Sequence, residues 1–157
     1  MTTVPEAMFD IAVIGAGMAG ASIASALSST HKVLLLEQED QPGYHATGRS
    51  AAVFTAIYGN ETVRALSRAS RAFLTAPPDG FADHPMASPL GNMFVARAEQ
   101  LGRLQAFFER PDIAPLTTWM DSAATRRICP ILAEPYVAAS VYEPGALAID
   151  VDALQQG

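Results

Sequence analysis

An apolar run that breaks at once into a glycine-rich bend constrains this chain more than any other feature. Ile11 to Ile14 leads into Gly15, Gly17 and Gly20, a G-x-G-x-x-G turn. Met18 to Ser29 then reads as a helix, with Ala24 and Leu27 giving it a narrow apolar stripe suited to close packing on a sheet. The strand Asp10 to Ile14 is answered by a second apolar strand, Lys32 to Glu37, which ends on a carboxylate. Strand, glycine turn, helix and strand make a βαβ unit, with Glu37 standing 17 residues beyond Gly20.

That spacing fits an adenine dinucleotide. Gly15 permits the tight turn, Gly17 lets backbone approach a pyrophosphate, and Gly20 lets the helix lie close to the strand. The helix start turns free amides and its positive dipole end toward phosphate, and Glu37 can accept hydrogen bonds from ribose hydroxyls. A bare βαβ unit without a ligand is the plainer alternative, but three glycines at a helix start lower stability with nothing to offset them.

Both FAD and NAD are compatible with a glutamate on the second strand. The segment Glu37 to Gly59, EQEDQPGYHATGRSAAVFTAIYG, favours FAD. A nicotinamide-binding domain usually passes from its second strand into another helix and strand, whereas this chain enters a polar loop with Pro42 and Gly43. Arg49 to Ile57 is expected to be helical, with Thr47 or Ser50 as its cap.

The stretches VIGAGMAGAS, LLLEQEDQPGYHATGRSAA and IDVDALQQG resemble the D-amino-acid oxidase superfamily of FAD-dependent oxidoreductases, nearest its D-arginine dehydrogenase branch. The likeness runs from about Asp10 to Gly157; GYHATGRSAA is its narrowest motif, since the glycine fingerprint is shared by many flavoproteins. The resemblance implies an α/β fold: a partial FAD-binding Rossmann-like βαβ unit plus part of an α+β substrate domain, truncated. It implies a FAD-domain portion over residues 1–60, a substrate or cap portion over 61–149, and from 150 a helix returning to the FAD domain.

In that family the flavin takes a hydride from the α-carbon of an amino acid, and the resulting imine hydrolyses to a keto acid and ammonia. By resemblance, Glu37 holds the adenosine ribose, with Gln38 beside the adenine, and Gly15, Gly17, Ala19 and Gly20 line the pyrophosphate. Ala46, Thr47, Gly48, Arg49, Ser50, Ala51, Ala52 and Val53 form the loop and helix start beside pyrophosphate and flavin. Tyr58 matches a substrate-facing tyrosine of the D-arginine dehydrogenase branch, and Thr55 is a weaker candidate beside it. That branch carries an acid where this chain has Asn92, and a histidine where it has Val53. A cationic substrate is therefore not expected to be favoured. No catalytic base and no metal ligand are assigned.

The 157 residues suffice for one domain, and with 50% apolar and 17% charged residues the chain can bury a core. A net charge of −6 argues against nucleic acid as a partner, and a small-molecule amino acid fits better. A single cysteine, Cys129, excludes an internal disulfide and fits a cytoplasmic protein. MTTVPEAMFD lacks the charge-then-apolar pattern of a signal peptide. Ile11 to Thr30 is uncharged, but glycines, serines and a threonine dilute it, and no membrane span is expected.

Asn60 should cap a helix over Glu61 to Thr75, with Val63, Leu66, Ser70, Phe73 and Leu74 on one face. Arg64, Arg68 and Arg71 lie on another face, expected to be solvated rather than to bind phosphate. Pro77, Pro78, Pro85 and Pro89 mark an irregular connection. Further along, Met93 to Ala96 and Thr117 to Met120 read as strands. Leu101 to Phe108 reads as an amphipathic helix, and Asp121 as the cap of a short one. Tyr136 to Tyr142 and Leu147 to Ile149 read as strands joined over Glu143 to Ala146. His45, in the loop, is expected to bond to backbone, and Trp119 to serve packing. Asp150 should cap a helix over Val151 to Gln156.

No second buried βαβ unit follows Glu37, so the chain is expected to be the N-terminal portion of a longer flavoenzyme, binding FAD weakly or not at all alone and paired with a missing C-terminal half. Two other functions stay open: a non-catalytic dinucleotide-binding subunit requiring a partner chain, and an NAD-dependent domain.

Overall fold

The structure, a computed structural model, describes residues 8–157. The opening MTTVPEA, part of the stretch read above as free of a signal peptide, lies outside them. In chain order the elements are β1 (Ile11–Ile14), α1 (Met18–Ser28), β2 (Val33–Leu36), β3 (Val53–Phe54), α2 (Glu61–Thr75), β4 (Ala87–Pro89), β5 (Asn92–Ala96), α3 (Leu101–Phe108), β6 (Thr118–Asp121), α4 (Ser122–Ile128), β7 (Ala139–Glu143), β8 (Leu147–Ile149) and α5 (Val151–Gln156). Short 3-10 turns fill three of the connections. The class is mixed α/β.

The chain divides into two compact units. The first runs up to Ala51 and takes in Gly80–His84 and Asp150–Gly157. Its sheet is the parallel pair β1–β2, in register from Ile11 opposite Val33 to Ile14 opposite Leu36. Ile14 is 87% exposed and Leu36 46%, so this two-stranded sheet leaves apolar side chains in water. Helix α1 buries Ala24, at the centre of its expected stripe. Asp150 caps α5, accepting from Ala153 N at 3.0 Å, while its other oxygen meets His84 Nε2 at 3.0 Å.

The second unit holds two antiparallel three-stranded sheets, ordered β3-β8-β4 and β5-β7-β6. Val141 on central strand β7 is fully buried, with Ala96, Ala139 and Leu104 around it and Phe94, Phe107 and Trp119 packed against them. Trp119 lies 5.7 Å from Phe108, ring centre to ring centre, and so serves packing. Phe54, Ala56 and Leu147 form a second cluster beside the other sheet. Asn60 caps α2 and Asp121 caps α4, each through a backbone amide three residues on.

Several expectations are corrected. Arg49 to Ile57 is not a helix: turns run through Ser50, and Val53–Phe54 pairs with Ala148 and Leu147. The bond from Ile149 N to Ala52 O, 2.9 Å, holds this segment extended, so sheet pairing overrides the helix preference of its alanines. Neither Thr47 nor Ser50 caps a second helix. The proline-rich connection contains β4, whose Pro89 sits on an edge strand, where a missing donor is tolerated. Pro135 opens a 3-10 turn at Glu134–Tyr136, so the strand expected from Tyr136 begins only at Ala139.

The largest correction concerns α2. Arg64 is only 1% exposed, whereas Val63, Leu66 and Phe73 are 42, 65 and 41% exposed. The face that carries Arg64 is packed, Arg71 stays exposed, and of the expected apolar face Leu74 packs against the Phe54 cluster. Arg64 donates from Nε to Asp112 at 2.7 Å and from Nη1 to Gly59 O. Arg68 donates to Ala56 O at 3.3 Å, and Arg71 to Gly145 O at 2.7 Å with its guanidinium over the Phe54 ring. Their guanidinium heads satisfy carbonyls at Gly59, Ala56 and Gly145. Among the described residues, no helix is long and apolar enough to cross a membrane.

Candidate dinucleotide site

The glycine turn is built as its spacing demands. Gly15 has φ +94°, a conformation that only glycine adopts without strain, and its N–H donates to Leu36 O at 2.7 Å, tying the turn to β2. A Cβ on Gly20 would stand 1.8 Å from Gly15 O, so α1 starts in contact with the turn backbone. Gly17 is the N-cap of α1, carries no capping side chain, and is followed by no acid in the first turn. Helix geometry leaves those first amides without intrahelical partners.

Glu37, directly after β2, folds its carboxylate back over the turn. Oε2 accepts from Ala16 N at 2.7 Å; Oε1 accepts from Gln38 N at 2.7 Å and Glu39 N at 3.2 Å. The Ala16 amide, then those of Glu39 and Gln38, hold the Glu37 carboxyl below its ordinary range, with His45 adding a smaller attraction. Three backbone amides occupy three of the carboxylate's four lone-pair sites, and the remaining one, on Oε2, can accept from a ribose hydroxyl. His45 bonds to the Glu39 carboxylate at 2.8 Å, rather than to backbone as expected.

Thr47 arrives from the loop after β2. Its Oγ1 accepts from Met18 N at 3.0 Å, on the first turn of α1, and a Cβ on Gly17 would lie 3.2 Å from it. Thr47 thus meets the same helix start that the sequence assigns to pyrophosphate. Gln38, Ala46, Gly48, Arg49, Ser50 and Ala51 are exposed members of this unit, and Ala19 is exposed on α1. Arg49 stacks on Tyr44, 5.1 Å from the ring centre. Ala52 and Val53, expected beside the flavin, belong to the second unit, where Val53 is held in β3.

One contact escapes the sequence altogether. Gln155 on α5 donates from Nε2 to Ala16 O at 2.9 Å. No local pattern signals a pair separated by 139 residues.

Tyr58 and Asn92, the expected substrate residues, both lie in the second unit. Tyr58 is 64% exposed. Asn92 starts β5 and donates from Nδ2 to Thr55 Oγ1 at 3.4 Å. The Thr55 hydroxyl donates to Glu143 Oε2 at 2.5 Å, and Ala56 N to Glu143 Oε1 at 2.7 Å. Glu143, only 2% exposed, therefore anchors the segment before Tyr58. The sequence placed it in a turn, where nothing marked it as buried. Among the described residues no cluster could hold a metal ion.

A strand, a glycine turn, a helix start met by Thr47 and a carboxylate directly after the second strand make up a dinucleotide-binding βαβ unit. The chain belongs to the DAO family, FAD dependent oxidoreductases, whose profile matches residues 10–157. The family cofactor is FAD, which removes the nicotinamide alternative, and the donor set described above fits it.

Solved structures share the fold. Glycine oxidase from Bacillus cereus matches with a TM-score of 0.76 at 22% identity, over 94% of this chain and 42% of its own. L-alpha-glycerophosphate oxidase from Mycoplasma pneumoniae, with FAD bound, matches at 0.76 and 18% identity, over 94% of this chain and 40% of its own. L-proline dehydrogenase from P. horikoshii matches at 0.72 and 20% identity, over 92% and 39%. The chain thus spans about two fifths of the length of these proteins.

Proposed function

We propose that this chain supplies the dinucleotide-binding part of a flavoenzyme that oxidises an amino acid, with D-amino acids as the substrate class. The observation that carries the reading is the Glu37 carboxylate seated on the glycine turn, 2.7 Å from Ala16 N. Glu37 would receive the adenosine ribose. The amides of Gly17, Ala19 and Gly20 would face the pyrophosphate, and Thr47 and the loop around it would close the site. FAD supplies the hydride acceptor; the residues of this chain orient it.

Tyr58 and Asn92 are the proposed substrate contacts, by resemblance to the D-arginine dehydrogenase branch. A neutral amide at Asn92 forgoes a charge-assisted hydrogen bond to a guanidinium, about 1.5–3 kcal/mol. That corresponds to about a tenfold to hundredfold loss in kcat/KM for a cationic substrate. The test compares D-arginine with neutral D-amino acids on the whole enzyme that carries these residues. Faster turnover of D-arginine would overturn the specificity; oxidation of L-amino acids alone would overturn the substrate class.

A second reading is a non-catalytic subunit that needs a partner chain. It draws support from the exposed apolar side chains of β1 and β2. Under either reading the 157-residue chain alone is proposed to hold FAD weakly. Co-purification with a second chain that restores tight flavin binding but no amino-acid oxidation would favour the subunit.

A further inference from the structure

We infer that Gln155 is a positioning residue of the dinucleotide turn, a latch thrown across it by α5. This rests on the flavin reading of that turn. The peptide groups flanking Ala16 are held at both ends by side chains: its N–H donates to Glu37 at 2.7 Å, and its C=O accepts from Gln155 at 2.9 Å. Those two bonds fix the rotation of the Ala16 backbone, and with it the direction in which the amide of Gly17 points. Ala16 itself is 3% exposed, so neither bond is readily replaced by water.

Three observations distinguish a latch from a side chain that merely fills space. First, a carbonyl can only accept, so the atom facing Ala16 O must be Nε2, which leaves Oε1 inward; Oε1 is buried and has no partner among the described residues. A stranded acceptor lowers stability, and an apolar side chain would pack there without that penalty. Second, the stem of Gln155 runs beside the loop after β2: a Cβ on Gly43, which has φ +71°, would stand in ordinary contact with Gln155 Cγ at 3.7 Å. Third, Gln155 lines a cavity of about 330 Å³ together with Gly43, Thr47 and Gly48. Thr47 is the residue that reaches Met18 N. The final helix, the loop and the glycine turn therefore meet around one side chain.

The test uses Gln155→Ala and Gln155→Met, the latter keeping the stem, with Gln156→Ala as the control; Gln156 is exposed and donates within its own helix to Asp152 at 3.4 Å. Two quantities are read by NMR: amide hydrogen exchange at Ala16, whose N–H is bonded to Glu37, without ligand, and the FAD dissociation constant by titration. Losing one neutral hydrogen bond corresponds to about tenfold in an equilibrium. Both Gln155 variants should speed exchange at Ala16, and weaken FAD, by about that factor. Gln156→Ala should change neither. Turn exchange within about twofold of wild type in both Gln155 variants overturns the latch. Absence of FAD binding by the wild type would count against the flavin reading instead, and the exchange comparison would still decide the latch.

Discussion

Gly20→Ala attacks the glycine turn where it is tightest. The new Cβ would sit 1.8 Å from the Gly15 carbonyl oxygen, although real Cβ contacts almost never fall below 3.0 Å. The obstacle is backbone, which no rotamer change can move aside. Two effects compete. Alanine is favoured over glycine inside a helix by about 1 kcal/mol. Overpacking costs about 1–3 kcal/mol when side chains can give way, and more when backbone must. Relief here requires α1 and the turn to part by more than an ångström, so the steric loss wins. The expected result is a net destabilisation of about 1–3 kcal/mol, seen as a fall of several degrees in Tm.

Gly17→Ala is the informative companion. Its backbone, φ −75° and ψ 179°, is open to alanine, and its Cβ would meet only the Thr47 hydroxyl at 3.2 Å. Stability should stay within about 0.5 kcal/mol of wild type. The same Cβ intrudes where pyrophosphate must approach, so FAD affinity should fall about tenfold or more. Thermal unfolding and FAD titration of both variants separate the two effects. A Gly20→Ala chain as stable as wild type, or a Gly17→Ala chain that binds FAD unimpaired, would refute this account of the turn.

The inverted face of α2 predicts that Arg64→Ala lowers stability by about 2–4 kcal/mol, through lost packing and an abandoned Gly59 carbonyl, while Leu66→Ala stays within about 0.5 kcal/mol; urea unfolding of the pair checks the order. Glu143→Leu strands the Thr55 hydroxyl and the Ala56 amide and should cost about 2–4 kcal/mol, with Glu143→Gln markedly milder because it keeps an acceptor; a reversed order would show that Glu143 is not the anchor. Glu37, Asp112 and Asp150 all have lowered carboxyl pKa values, chiefly from the Ala16 amide, the Arg64 side chain and the Ala153 amide respectively. A lowered folded pKa favours folding fully above the ordinary carboxylate range of about 4, and that contribution is lost as pH falls through the depressed values. Tm should therefore hold from about pH 7 to about pH 5 and drop below that, with a shallower drop in Glu37→Gln.

What the sequence disclosed was governed by neighbours in the chain. The glycine turn, the strand on each side of α1, and the caps at Asn60, Asp121 and Asp150 are set by residues three to four apart, and all appear as expected. What it hid was governed by distant partners. Residues 49–57 carry helix-favouring alanines, yet β8 pairs with Val53 and Phe54 as a strand in their midst. The apolar stripe of α2 signalled a buried face, but only Leu74 of it packs on the Phe54 cluster, while the arginines find carbonyls at Ala56, Gly59 and Gly145 that lie far off in sequence or outside the helix. Glu143 and Gln155 have no local signature, because each gains its role from a backbone group 87 or 139 residues away. The candidate site was thus legible in its glycines and its acid, and illegible in the side chains that brace them.

The central claim is that the glycine turn and Glu37 together grip the adenosine diphosphate half of FAD. An NMR titration of the 157-residue chain with FAD tests it most directly, since weak binding still moves resonances. The amides of Ala16, Gly17, Gly20 and Gln38 should shift most, with an equal concentration of NAD producing smaller changes, and Glu37→Gln should blunt the response. Shifts confined to other residues, or an unmoved turn at millimolar FAD, would contradict the claim.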